Sequence, residues 1–245
     1  ATFDGVTFRR AGAVAHGYTI KEGASGPAGS LKAAVTVESG PGGAEIVATD
    51  GHRLYASGPV GTGASEPARI AVGRDAWALA LRASALDPGA PVEIAPAGGA
   101  NGAYTGAVSI RVGAVEILAL GALPCVPSAW RPSLGGAPMV EVEADRAAWI
   151  VALAQAAPLM AASRGVRFRA NGAAAFDVSN PERGTVHVGV EGAAVIRAGE
   201  SDIGINAAYL AAAFRACSSK RLTWRIGDST APTVNRRRSP AWRLK

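Results

Sequence analysis

The feature that most constrains this chain is that its second half restates its first. Ile70-Ala71-Val72, followed by a helical stretch with Trp77, matches Ile203-Gly204-Ile205, followed by one with Tyr209, at offsets of 133 and 132. Val35-Thr36-Val37 matches Val166-Arg167-Phe168 at 131, and Ala48-Thr49-Asp50 matches Val178-Ser179-Asn180 at 130. Steady offsets with little residue identity imply two copies of one folding unit, because element lengths and register, not side-chain identity, set such spacing. Each half reads as strand, helix, three strands, strand, helix, strands. That predicts an α+β fold of two tandem units, each with helices on one face of an antiparallel sheet. The expected division is a first unit over 1–124, a linker over 125–138 and a second unit over 139–245.

The elements behind this reading are local. Val6-Thr7-Phe8 has the composition of a strand start, and 11–22 that of a poor helix weakened by Gly12 and Gly17. Residues 24–30 are Gly, Ser and Pro-rich loop, and 31–38 alternates as a strand. A turn over 39–43 leads to the run Ile46-Val47-Ala48, the turn pair Asp50-Gly51, and a second strand His52-Arg53-Leu54-Tyr55. After a loop over 58–67 come a strand at 69–72 and a helix from 73 to about 85, with Trp77 and Leu81 on one face; Asp87-Pro88-Gly89 stops it. Strands follow at 91–95, 106–112 and 114–120. Pro124, Pro127, Pro132 and Pro138 then bar regular structure over 121–138. In the second half, a strand at 139–143 precedes a helix capped by Asp145 and carrying Trp149, Leu153, Ala156 and Met160, disturbed at Pro158. Asn171-Gly172 joins strands at 165–170 and 174–179, and Asn180-Pro181 turns into a strand at 185–190. A strand at 202–205, a helix capped by Asn206 with Leu210, Phe214 and Cys217, and a strand at 221–227 complete the pattern.

Charge is the second constraint. The net charge of +6 is concentrated at the end, where nine basic residues from Arg215 to Lys245 face Asp228 alone. Such a bias attracts phosphate backbones. No apolar run approaches the ~18–20 residues that span a bilayer, and no signal-peptide pattern opens the chain. Two cysteines, Cys125 and Cys217, do not make a disulfide framework, and they fit a reducing, cytoplasmic setting. Three His and two Cys with no HxxH, HExxH or CxxC spacing offer no metal site. No phosphate-binding glycine loop and no GxSxG elbow occurs, and Asp50, His52 and Ser229 lack the third partner a hydrolase needs. No enzyme, cofactor or metal chemistry is expected. A hairpin with His, Arg and Leu at its exit places apolar and cationic groups side by side, which suits gripping a peptide.

With these residues in view, the chain resembles the bacterial DNA polymerase III β subunit, the sliding clamp. Ala48-Thr49-Asp50-Gly51-His52-Arg53-Leu54 is close to that family's most recognisable run. Leu123-Pro124, Arg164-Gly165-Val166-Arg167, Ser179-Asn180-Pro181-Glu182, Ile205-Asn206-Ala207-Ala208-Tyr209-Leu210 and Gly227-Asp228-Ser229 follow in family order. The resemblance covers the second and third of that family's three processivity-fold units. It implies a non-catalytic processivity factor that encircles double-stranded DNA and docks peptides of the DNA polymerase and clamp loader. A ring of six units would make a two-unit protomer a homo-oligomer, a trimer with head-to-tail contacts.

The resemblance also implies two sites. One is a partner-peptide pocket between the units, walled by Leu31, Thr49, Gly51, His52, Arg53, Leu54, Pro124, Asn206, Tyr209, Thr230 and Pro232, with Ala129 or Trp130 nearby. The other is a DNA-facing set on the helices: Arg74, Arg146, Arg215 and Lys220, with Arg9, Arg10 and Lys21 as further candidates. The chain departs from the family in its basic charge and in its end, where residues 231–239 are about nine short of the family's final strand pair and Arg236-Arg237-Arg238 replaces apolar strand residues. A clamp-derived accessory protein that binds DNA or partners without closing a ring is the alternative.

Overall fold

The computed structural model describes residues 1–20, 32–98, 104–120, 123–126, 138–160, 165–198, 203–227, 233–236 and 241–244. The expected loop at 24–30 lies outside them, as does most of the proline-rich connection. Contacts divide the chain into two compact units, Ala1–Ser128 and Ala129–Lys245.

In the first unit the order is β1 (Thr2–Phe3), α1 (Gly5–Gly17), β2 (Ala34–Gly40), β3 (Gly43–Thr49), β4 (Arg53–Ala56), β5 (Ala68–Gly73), α2 (Arg74–Leu86), β6 (Val92–Gly98), β7 (Tyr104–Val112) and β8 (Val115–Ala119). The strands form two antiparallel sheets, β1-β6-β7-β8 and β4-β3-β2-β5, and α1 and α2 pack on each other and against the strands. In the second unit the order is β9 (Val140–Asp145), α3 (Arg146–Ala156) with a 3₁₀ turn (Ala157–Leu159), β10 (Gly165–Asn171), β11 (Ala173–Asn180), β12 (Gly184–Gly189), β13 (Ala194–Arg197), β14 (Ile203–Asn206), α4 (Ala207–Ala216), β15 (Arg221–Ile226), β16 (Thr233–Arg236) and β17 (Ala241–Leu244). Its sheets are β12-β11-β10-β14 and β13-β9-β15-β16-β17. From β2 to β15 the described elements follow the anticipated order apart from β13, while β1, β16 and β17 were also not announced by the pattern. Among the described residues no helix is long and apolar enough to cross a membrane.

Strand register tests the repeat residue by residue. Val35 pairs with Ala48 and Val72 in the first unit; in the second, Val166 pairs with Ile205, and its neighbour Arg167 pairs with Asp177. Val35 with Val166 and Val72 with Ile205 are residues matched at offsets 131 and 133. The helix caps shift one assignment. Gly73 and Asn206 are the N-caps of α2 and α4, so the residue standing where Trp77 stands is Leu210, not Tyr209. Burial agrees: Trp77 is 0% and Leu210 1% exposed, while Tyr209 is half-buried. A helix buries the stripe its caps and contacts select, and a match on aromatic character alone misses by one residue.

A second correction concerns the start. Val6, Thr7 and Phe8 lie inside α1, not on a strand. Asp4 is its N-cap and accepts from the Thr7 backbone N–H at 2.9 Å, a stop for the strand after Phe3. Burial then overrides the β-propensity of Val6 and Thr7, because Phe8 packs on Phe3 and Trp77 with ring centroids 6.0 and 5.0 Å apart. Gly12, which weakens the helix in isolation, is required by its packing. A Cβ there would come within 3.0–3.2 Å of Leu81 and Trp77, and the Gly12 carbonyl accepts the Trp77 indole N–H at 3.0 Å. In the second unit Trp149 is the hub of the core, with the rings of Phe168, Phe176, Phe214 and Trp224 between 5.2 and 6.0 Å away.

At the end of the chain β16 and β17 pair antiparallel, Thr233 with Leu244 and Asn235 with Trp242. A final strand pair therefore forms despite the short connection. Both cysteines are free thiols. Burial raises the Cys125 thiol above its ordinary value, more than the nearby Arg69 lowers it.

Candidate partner-docking and nucleic-acid surfaces

β3 and β4 form the expected hairpin, Thr49 opposite Leu54 and Ala48 opposite Tyr55. Gly51 sits at φ 89°, the left-handed conformation that glycine adopts without penalty. The turn is built by Asp50. Its carboxylate accepts from the backbone N–H of His52 at 2.9 Å and of Arg53 at 2.8 Å, and from Arg53 Nε and Nη2 at 2.9 and 2.7 Å. Burial alone would raise the Asp50 pKa, but the Arg53 and His52 hydrogen bonds outweigh it and hold the group below the usual carboxylate range. Thr49 Oγ1 donates to the Arg53 carbonyl at 2.6 Å and accepts from the Gly51 N–H at 3.0 Å. Arg53 reaches further: its guanidinium lies 4.4 Å over the Tyr18 ring, and Nη2 donates to the Gly17 carbonyl at 3.4 Å.

The second unit repeats this device. Asn180 Oδ1 accepts from the N–H groups of Glu182 and Arg183 at 2.9 and 3.2 Å, and Arg183 Nη1 donates to the Pro158 carbonyl at 3.2 Å. In each unit an Asx turn aims an Arg at a carbonyl in the last turn of the unit's first helical segment. Thr49, Asp50 and Arg53 are thus absorbed by architecture, while Gly51 and His52 are exposed and Leu54 half-exposed at the rim. Of the remaining anticipated pocket residues, Pro124 is exposed and Tyr209 half-buried. Asn206 caps α4 through its Oδ1, which accepts from Ala208 and Tyr209. Leu31, Thr230, Pro232, Ala129 and Trp130 lie outside the described residues, as does Lys21.

Among the described residues the four α-helices carry six Arg and a single Asp, with no Lys and no Glu. Three of the six guanidinium groups are turned onto backbone. Arg9 donates to Ser84, tying α1 to α2. Arg74 donates to the Thr19 carbonyl at 2.6 Å and the His16 carbonyl at 3.2 Å, closing the end of α1. Arg146 donates to the Cys217 carbonyl at the end of α4. So Arg74 and Arg146, expected to face DNA, brace helix ends through the same donors. Arg10, Arg82 and Arg215 are exposed, as is Lys220. Arg82 escaped the sequence reading, although the signal was available. It stands nine residues past the Gly73 cap as Arg215 stands nine past the Asn206 cap, so subtracting the offset of 133 from Arg215 finds it.

Among the described residues no cluster of three or more His, Cys, Asp or Glu could hold a metal. The architecture defines a class: tandem processivity-type units, each a helix pair packed on antiparallel sheets. Comparison with solved structures places the chain within it, with the fold of bacterial DNA polymerase III β sliding clamps. It superposes on the DNA polymerase sliding clamp of Pseudomonas aeruginosa with a TM-score of 0.83 at 18% identity, covering 100% of this chain and 64% of that one. The DNA polymerase III β subunit of Thermotoga maritima gives 0.80 at 16%, covering 100% and 64%. The β sliding clamp of C. crescentus gives 0.80 at 18%, covering 99% and 64%. The chain therefore spans about two thirds of the length of the clamps it resembles. No family model matches the chain, and no curated relative matches it.

Proposed function

We propose that this chain is a sliding-clamp component, a non-enzymatic processivity factor that surrounds duplex DNA and docks partner peptides. The charge segregation on the helices carries the proposal: six Arg against one Asp, with Arg82 and Arg215 exposed at equivalent positions of the two units. Cations held by rigid helices contact phosphates without reading bases, so the protein slides. Arg10, Arg82, Arg215 and Lys220 are the phosphate contacts, and Arg74 and Arg146 hold the helix ends that present them. His52 and Leu54, on the turn built by Asp50 and Arg53, take the partner peptide, with Leu31, Thr49, Gly51, Pro124, Asn206, Tyr209, Thr230 and Pro232 completing the wall. The polymerase and the clamp loader are the partners. A ring of six units takes three copies of a two-unit chain, or two of a protomer with a further unit.

The test is topological. A ring that surrounds duplex DNA stays on closed circular DNA in high salt and slides off the same DNA once linearised. The net charge of +6 favours a second reading, an accessory protein held by the basic surface without closure. Equal, strongly salt-sensitive binding to circular and linear DNA would establish that reading instead.

A further inference from the structure

A glycine follows an aspartate or asparagine at Asp4-Gly5, Asp50-Gly51, Asn101-Gly102 and Asn171-Gly172. In such a pair the glycine nitrogen can close a cyclic imide on the preceding side-chain carbonyl carbon, and glycine puts no side chain in the way. Asn101-Gly102 lies outside the described residues. The other three differ in what surrounds them.

Two are closed. Asp4 is tied to the Thr7 N–H as the N-cap of α1, and Gly5 is boxed in, an added Cβ meeting the Ala90 and Pro88 carbonyl oxygens at 2.7 and 2.8 Å. The Asp50 carboxylate accepts from two backbone N–H groups and twice from the Arg53 guanidinium. These bonds keep it ionised, and an ionised carboxylate resists nucleophilic attack. The Gly51 N–H is occupied by Thr49 Oγ1 at 3.0 Å, and the Lys32 side chain crowds the glycine.

Asn171-Gly172 is open on each of these counts. Both residues are exposed where β10 turns into β11. Gly172 sits at φ 76°, and an added Cβ there would meet nothing within 4 Å. Among the described residues neither the Asn171 carboxamide nor the Gly172 N–H has a hydrogen-bond partner. The carboxamide is neutral and carries its own leaving group. Asn180, at the other end of β11, is the contrast. Its Oδ1 accepts from Glu182 and Arg183, its Nδ2 donates to the Leu159 carbonyl at 3.4 Å, and Pro181 has no N–H with which to attack.

We propose that Asn171-Gly172 is a self-modification site, at which the Gly172 nitrogen displaces ammonia from Asn171 and water then leaves isoaspartate in the turn. The bond from the Gly172 nitrogen to Asn171 Cγ forms, the Cγ–Nδ2 bond breaks, and the proton from the Gly172 nitrogen departs on ammonia. Water opens the imide at either carbonyl. Opening at the backbone carbonyl gives isoaspartate, opening at Cγ gives aspartate, and no electrons change hands. Either product adds a carboxylate to a chain of net charge +6. Isoaspartate also lengthens the backbone by one methylene beside the Ala170–Ala174 pair. The proposal is independent of the clamp reading, because neither residue belongs to the helices or to the β3–β4 hairpin.

The test holds the whole folded chain in mildly alkaline buffer below its melting temperature and follows tryptic peptides by mass, against a digest taken at time zero. Cuts after Arg169 and Arg183 release residues 170–183, which carry Asn171 and Asn180 together. Asn171 should gain about one mass unit, and the peptide should accept a methyl group from S-adenosylmethionine in the presence of an isoaspartyl carboxyl methyltransferase. Its rate should fall no more than about tenfold below that of a synthetic 170–183 peptide, as expected for an unprotected turn. Asn171→Gln should remove the signal from this peptide and melt at the wild-type temperature. A slower rate, or aspartate formed without isoaspartate, would overturn the proposal. So would equal modification of Asn180, Asn206 or Asp50, which would make unfolding rather than the open turn the cause.

Discussion

Asp50 is where the hairpin can be taken apart in steps. Asp50→Asn keeps an oxygen acceptor for the His52 and Arg53 backbone N–H groups, as Asn180 does in the second unit, but withdraws the charge facing the Arg53 guanidinium. Asp50→Ala removes both. The pair is largely buried, with side chains 14% and 11% exposed for Arg53 and Asp50, so its charge-assisted bonds are weakly screened and contribute about 1.5–3 kcal/mol together. The two backbone bonds add roughly 1 kcal/mol. Asp50→Asn should therefore cost about 1.5 kcal/mol and Asp50→Ala about 3. Arg53→Ala should fall between them, since it loses the Tyr18 and Gly17 contacts but leaves the turn bonds. The assay is native-state hydrogen exchange of the β3 and β4 amides in urea, because a chain of two units need not unfold in one step. Proton linkage gives an independent check. A carboxyl whose folded pKa is lowered stabilises above its unfolded value near 4, and that contribution is lost as pH falls through the folded value. Asp50→Ala should thus erase part of the acid sensitivity of these amides. Wild-type exchange in Asp50→Ala, or Asp50→Asn costing as much as Asp50→Ala, would refute the division of labour between charge and turn.

Arg82→Glu and Arg215→Glu should each weaken retention on circular DNA and lower the slope of log affinity against log salt by about 1, whereas Arg74→Ala should chiefly lower the melting temperature by loosening the end of α1. His52→Ala with Leu54→Ala should abolish capture of a polymerase-derived peptide and leave DNA retention intact; an equal fall in both would dissolve the distinction between the two surfaces. Trp77→Phe leaves the buried Gly12 carbonyl without its indole donor and should cost about 1–3 kcal/mol beyond the lost volume. Trp149→Phe should lack this extra cost, since the Trp149 indole nitrogen has no hydrogen-bond partner among the described residues; comparing the two by denaturant unfolding isolates the bond.

Much of the fold was legible because strand register leaves a mark in linear spacing. A strand that buries one face cannot slip by one residue without turning its apolar side to water, so the repeat offsets of 130, 131 and 133 survive where identity does not. The turns were legible for a similar reason: Asp50-Gly51 and Asn171-Gly172 demand backbone conformations that few residues accept. The start of the first helix was not legible, since Val6 and Thr7 favour a strand locally and the packing of Phe8 on Trp77 draws them into the helix.

The sequence by itself determined the two-unit repeat, the order of elements, the hairpin and the excess of Arg, because these follow from periodicity, turn chemistry and count. Only the tertiary structure decided which Arg are presented and which are spent. A guanidinium on a long side chain reaches any carbonyl that folding brings near. Arg74 and Arg146 were therefore claimed by helix ends 55 and 71 residues distant in sequence, while Arg82, silent in the linear pattern, was left facing outward.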